Sequence, residues 1–252
     1  MREFTTARLR RIAAVPRLVY RKVNKVAVHL LGPIVWKPSK HRLRLERLGT
    51  GDGEWILPVD CLDGSSICYC VGVGNNASLD FGLVKQFHCS VFSFDPTPAA
   101  AAYMEQAEYD RSKLRFLPVG IWDEDTSLRL YMPANNEVIL SVFDLKGTGR
   151  YFVCECQKLS TIMRSLGHTR IDLLKLDIEG AWQQVVRNIV EENISVSMMC
   201  VEFDSPTSLV KVSRAIRMLR QLGLELVYFE KDNYLFVQKH MVRGLTLGSV
   251  KG

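Results

Sequence analysis

Cys68-Tyr-Cys-Val-Gly-Val-Gly-Asn-Asn-Ala77 decides the fold of this chain. Its apolar opening reads as a buried strand, the glycines at 72 and 74 follow at once, and a helical pattern resumes at residue 77. Glycines at the carboxyl end of a strand let bare backbone approach a ligand closely, with N–H groups turned toward it. About twenty residues on, Ser93-Phe-Asp-Pro-Thr97 sets Asp95 at the end of the next strand, where a carboxylate can accept hydrogen bonds from both ribose hydroxyls. Gly72, Gly74 and Asp95 together point to a nucleoside cofactor. Gly72-x-Gly-x-x-Ala77 also satisfies the dinucleotide fingerprint, so an NAD(P)-dependent Rossmann oxidoreductase stands as the rival reading.

Outward from this core, strand-like runs alternate with helix-like ones: 66–73 and 77–87, 90–95 and 98–108, 114–121, 171–177 and 180–191, 197–203 and 207–222. That rhythm predicts an α/β fold, a mostly parallel seven-stranded sheet with helices on both faces. Leu224-Glu-Leu-Val-Tyr-Phe229, a polar turn at 230–233 and Tyr234-Leu-Phe-Val-Gln238 close the chain as a hairpin, so the final strand runs antiparallel. Residues 1–60 are set apart as a basic N-terminal helix followed by a hairpin annex, with 42–48 and 54–59 as its strands. Residues 61–252 form the main domain, interrupted by a β insertion at about 128–156. Within the insertion, 133–150 is the expected wall for a second substrate, with Asn135, Asn136 and Ser141 as polar contacts.

Ile171-Asp-Leu-Leu-Lys-Leu-Asp-Ile-Glu-Gly-Ala181 is an apolar strand ending in two carboxylates and a glycine. Polar groups at a strand's carboxyl end face the ligand crevice of such sheets. Alternation puts Asp177 and Glu179 on one side, with Lys175 on the same side nearer the sheet.

The same run resembles the signature of FkbM-type methyltransferases. Val71-Gly-Val-Gly74, Ser78-Leu-Asp80, Phe94-Asp-Pro-Thr97, Gly120-Ile-Trp-Asp123, Leu159-Ser-Thr-Ile162 and Val201-Glu-Phe203 resemble family blocks in the same order across roughly residues 60–240. The resemblance implies a Rossmann-like class I methyltransferase domain at 61–252 that binds S-adenosyl-L-methionine. It also implies methylation of a hydroxyl on a sugar, polyketide or other small or glycan acceptor. Carried over, Gly72, Gly74 and Asn75 surround the methionine part, Asp95 and Pro96 adjoin the ribose, and Gly120, Ile121 and Trp122 border the adenine. Asp177 lies beside the sulfonium. Cys70 and Asn76 depart from positions that are often acidic in related enzymes, which makes Asp80 a candidate for the missing carboxylate. Asp177, Glu179 and Glu202 are candidates for the general base that takes the hydroxyl proton, or for ligands of a magnesium or manganese ion. His168 falls on the opposite edge, and Trp182 reads equally as pocket wall and as helix packing.

Bulk properties bound the rest. With 47% hydrophobic and 24% charged residues, wholesale disorder is excluded, and 252 residues suit one domain with attachments. Seven cysteines in apolar runs read as buried reduced thiols rather than zinc ligands, which points to a cytoplasmic protein. Residues 1–50 hold 13 Lys/Arg against 2 Asp/Glu, a local +11 in a chain of net +6. Ile12, Val15, Val19, Val23, Val26 and Leu30 recur at helical spacing, so this leader is a basic amphipathic helix. Docking on its own domain is the favoured reading, with peripheral contact to a membrane surface as the alternative and nucleic acid disfavoured for want of an aromatic ladder. A non-catalytic cofactor fold attached through this leader is a third functional reading, and the sequence is silent on oligomeric state.

Overall fold

The computed structural model describes residues 22–40, 42–132, 148–204 and 207–244. In chain order these form helix α1 (22–35), a hairpin of β1 (Leu45–Leu48) and β2 (Trp55–Pro58), then β3 (Ile67–Val71), α2 (Ser78–Phe87), β4 (Ser90–Phe94), α3 (Pro98–Gln106) and β5 (Leu114–Leu117). There follow β6 (Gly120–Trp122), β7 (Thr126–Tyr131), β8 (Tyr151–Lys158), α4 (Leu159–Leu166), β9 (Ile171–Leu176), α5 (Trp182–Glu191), β10 (Val196–Glu202), α6 (Leu209–Gln221), β11 (Leu224–Glu230), β12 (Asn233–Gln238) and α7 (Lys239–Gly244).

The central sheet has seven strands in the order β11-β12-β10-β9-β3-β4-β5. The pairs from β10 to β5 are parallel, whereas β12 runs antiparallel to both β10 and β11. The last strand has slipped between its two predecessors. That arrangement is the class I methyltransferase topology and differs from the wholly parallel dinucleotide-binding sheet, in which the sixth strand lies directly beside the fifth.

Near-continuous apolar runs form the inner strands because both faces of the sheet are covered. On one face Tyr69, Val71, Leu174, Leu176, Met199 and Val201 pack with residues of α1, α4, α5 and α6. On the other, Cys68, Cys70, Leu173, Met198 and Cys200 meet α2, α3, α7 and the β1–β2 hairpin. Six of the seven cysteines are buried and all are free thiols. Local signals set the helix ends: Thr97 caps α3 by accepting the Ala100 N–H at 3.1 Å, with Pro98 in its first turn, and Gly167 closes α4 at a φ of +73°.

Two expectations need correction. The run 114–121 is two strands, since Pro118 has no N–H for a ladder; β5 ends the main sheet, while β6 pairs with β8 in a separate three-stranded sheet ordered β6-β8-β7. The leader stripe also fails to face the domain. Val23, Val26 and Leu30 are 60, 54 and 68% exposed, and the side that docks is Val28, Gly32 and Trp36. Gly32 permits this, because a Cβ there would lie 2.7 Å from the Trp36 ring. Trp36 donates to Ser213 Oγ at 2.8 Å and packs edge-on against Tyr234, while Lys25 and His29 both reach Asp232. Ile12, Val15 and Val19 lie outside the described residues, as do Asn135, Asn136 and Ser141. Among the described residues no helix is long and apolar enough to cross a membrane.

Candidate functional site

A cavity of about 360 Å³ opens at the carboxyl ends of β3, β4 and β9, a size suited to a small-molecule ligand. It is bounded by the glycine loop after β3, by Asp95 and Pro96, by Gly120, Ile121 and Trp122 of β6, and by Asp177, Glu179 and Glu202. Leu128 and Leu130 of β7 and Cys156 of β8 close the apolar side, so the insertion sheet forms one wall. Asp52 and Gly53, from the turn of the β1–β2 hairpin, form another.

The loop is shaped by contacts that only glycine allows. Gly72 has a φ of +85°, its N–H donates to Phe94 O at 2.9 Å, and a Cβ on it would fall 1.8 Å from the Asp177 carbonyl oxygen. Gly74, at a φ of +55°, has nothing within 4 Å of where its Cβ would stand, so that face is bare backbone turned to open space. Asp95 is buried yet borders the cavity. Its Oδ2 accepts from the N–H groups of Val73 (3.0 Å) and Gly74 (2.9 Å), and its Oδ1 from Thr97 N–H at 2.9 Å. A carboxylate offers about four acceptor positions, so about one remains open to a hydroxyl of a ligand.

The floor is a chain of ionisable groups. Lys175 is buried, donates to Gly72 O at 2.6 Å and sits 3.2 Å from Asp177 Oδ2. Burial works against its charge, but Asp177 and Asp80 more than compensate and its pKa is raised. For Asp177, burial also opposes ionisation, yet Lys175 and a hydrogen bond from Glu202 hold the carboxyl below its usual range. Glu202 goes the other way: burial first, then the hydrogen bond to Asp177 and its charge, push its pKa up to about 10. At neutral pH this pair holds one proton, carried by Glu202 and directed at an ionised Asp177. Asp204 is raised to about 9 by burial and by the charge of Glu179.

All the site residues read from the sequence converge on this cavity except Asp80. It lies beneath the loop, fully buried, hydrogen-bonded to Ser93 Oγ, with its pKa raised by that burial. Its charge favours the protonated form of Lys175, and it does not line the cavity. Trp182 takes the packing role, buried against Phe203 at 4.6 Å with its indole N–H on Asp204 O. His168 shares a 2.7 Å hydrogen bond with Tyr69 at the opposite end of the sheet. Among the described residues no group of three or more His, Cys, Asp or Glu side chains could hold a metal ion.

Asp52, Asp204 and the Lys175 bond to the loop were not singled out beforehand. Asp204 had a signal, since it follows Glu202 by two residues at a strand end. Asp52 had none, because the hairpin reaches the cleft through tertiary packing. There the Asn76 side-chain N–H₂ donates to Thr50 O at 2.8 Å and to Asp52 Oδ1 at 2.6 Å, tying the hairpin turn to the glycine loop.

No protein-family model matches the chain, and no curated protein matches it. Among solved structures it is similar to the fibrillarin pre-rRNA processing protein of Methanococcus jannaschii, at 10% identity over 81% of this chain and 86% of that one, TM-score 0.41. It is similar also to Aeropyrum pernix fibrillarin with natively bound S-adenosyl-L-methionine, at 12% identity over 77% and 81%, TM-score 0.42. A methyltransferase from Pyrococcus furiosus aligns at 13% identity over 88% and 96%, TM-score 0.39. Likeness at this level carries no argument about chemistry, which rests on the site itself.

Proposed function

We propose that this chain is an S-adenosyl-L-methionine-dependent methyltransferase of the FkbM type, acting on a hydroxyl of a sugar, polyketide or other small acceptor. The observation that carries the reading is the joining of Asp95 to the Gly72–Gly74 loop at the mouth of the cavity, within a sheet of class I methyltransferase order. The residues fit the cofactor: bare backbone at Gly74 for the methionine end, Asp95 for the ribose, and apolar Pro96, Ile121 and Trp122 beside the adenine. Asp52, rather than Asp80, is the carboxylate available to the methionine amine, since it borders the cavity beside Asn75 and Asn76.

Bound S-adenosyl-L-methionine would supply a methyl group open to in-line displacement by the acceptor oxygen. The protein's share is alignment and exclusion of water. Asp177, ionised and fixed by Lys175, accepts a hydrogen bond from the acceptor hydroxyl and receives its proton as the C–O bond forms. Glu202 stays protonated and orients Asp177, which makes it a positioning residue. Leu128 and Leu130 keep the acceptor side dry.

Calorimetric titration with S-adenosylhomocysteine tests the reading. Micromolar binding to the wild type and none to Asp95→Ala is expected. A wild type that ignores S-adenosylhomocysteine but binds NAD would return the site to the oxidoreductase reading.

A further inference from the structure

Helix α1 lies on the domain with its apolar side turned outward. Val28, Gly32 and Trp36, spaced by four, form the buried row, and Lys25 and His29 beside it are bound to Asp232. The opposite face carries Val23, Val26, Leu30 and Ile34, each 54 to 71% exposed, at spacings of three and four that align them in one stripe. Leu31 and Val35, also exposed, widen it. The inward row is apolar as well, but a second stripe of four large apolar residues occupies the outer face, where a surface helix normally carries polar groups, so the stripe is built to be covered.

Charge indicates by what. Lys22, Lys37, Lys40 and Arg42 are exposed on and just after the helix, and residues 1–21 add six arginines against one glutamate in sequence. We propose that α1 is an interfacial helix that seats Val23, Val26, Leu30 and Ile34 among the acyl chains of an anionic lipid surface, with the flanking lysines and arginines on its headgroups. A second copy of the chain would bring like charges together across the contact, and a nucleic acid would leave the apolar stripe unrewarded. The described part of the helix, 22–35, is too short to span a bilayer, and it lies in the plane of the surface. Lys25 is bound to Asp232, whose carbonyl oxygen accepts the Phe203 N–H at 2.8 Å, so the start of α1 lies on the same side of the sheet as the carboxyl end of β10. None of this depends on the identity of the cofactor.

Flotation of the full chain with phosphatidylcholine vesicles, with and without phosphatidylserine, tests the proposal. Binding to the phosphatidylserine vesicles is expected, weakening as salt rises. Val26→Asp/Leu30→Asp/Ile34→Asp should bind at least about tenfold more weakly at an unchanged circular dichroism spectrum. Should that variant misfold, Val26→Ser/Leu30→Ser/Ile34→Ser gives the same reading without added charge. The proposal is overturned if the wild type ignores phosphatidylserine vesicles, whether or not it binds RNA, or if the soluble variant floats as the wild type does. It is also overturned if light scattering finds a wild-type dimer that the variant converts to monomer, because a second copy then covers the stripe.

Discussion

The proton held between Glu202 and Asp177 is where single residues govern both stability and chemistry. Glu202 has a folded pKa of about 10 against an ordinary 4.5, so the folded protein keeps a proton that the unfolded chain releases. Its contribution is therefore fully present below about pH 4.5 and is lost progressively as pH rises toward about 10. An isolated group would forfeit about 1.4 kcal/mol per pH unit across that window, and sharing the proton with Asp177 reduces the figure. Glu202→Gln keeps the donor and removes the titration. It should stabilise the protein by on the order of 1–3 kcal/mol near pH 8 and by almost nothing near pH 4, as read by urea unfolding at both pH values. Equal effects at the two would mean that Glu202 is ionised in the fold. Asp177, Glu179 and Glu202 were legible as acids at strand ends, but β9 stops at Leu176, so alternation does not reach Asp177 or Glu179, and the turn that follows the strand sets them instead. Which of them keeps its proton was not legible, since that depends on Lys175 of β9 and Asp177 just after it meeting Glu202 from β10, and Asp80 shows the same limit. One turn into a helix and acidic, it reads as a ligand for the amine, until the packing of α2 on β4 buries it against Ser93.

Among elements, the β1–β2 hairpin does most that its sequence does not announce. Its turn is fastened to the glycine loop by Asn76, whose Oδ1 also accepts the Ser78 N–H at 3.1 Å, and by the Thr50 N–H on Ser78 Oγ at 2.8 Å. A Cβ on Gly53 would stand 2.8 Å from the Asn76 side chain, so a larger residue there would push the amide away from Thr50 and Asp52. Asn76→Ala removes the two bonds from Nδ2 and the one at Ser78, so a loss of about 1–2 kcal/mol is expected. S-adenosylhomocysteine should bind several-fold more weakly as Asp52 loses its anchor. Chemical denaturation and titration on one preparation separate the two effects, and unchanged affinity beside lowered stability would take Asp52 out of the site. Elements with a strong local pattern, such as β9, α5 and the β11–β12 hairpin, could be read from the chain within a few residues. Those set by distant partners could not. β5 and β6 look like one strand until Pro118 directs them to different sheets, and the α1 stripe looks inward until Lys25 and His29 find Asp232.

At the scale of the whole molecule, the cavity has walls from three separate structures: the turn after β1, the carboxyl edge of the main sheet, and the β6–β8–β7 sheet. A ligand held there touches all three, so its binding energy should oppose unfolding of the chain as a unit rather than of one wall. Anything that binds only the folded state stabilises it by about 2.7 kcal/mol at a hundredfold excess over Kd. For a chain of this length that corresponds to a rise in Tm of roughly 5–10 °C. S-adenosylhomocysteine should give that shift as a single transition, NAD should give none, and Asp95→Ala should melt cooperatively with no response to either. A melt that splits into two steps, with only one moved by the ligand, would mean that a wall unfolds on its own, and the cofactor would then be held by the main sheet alone.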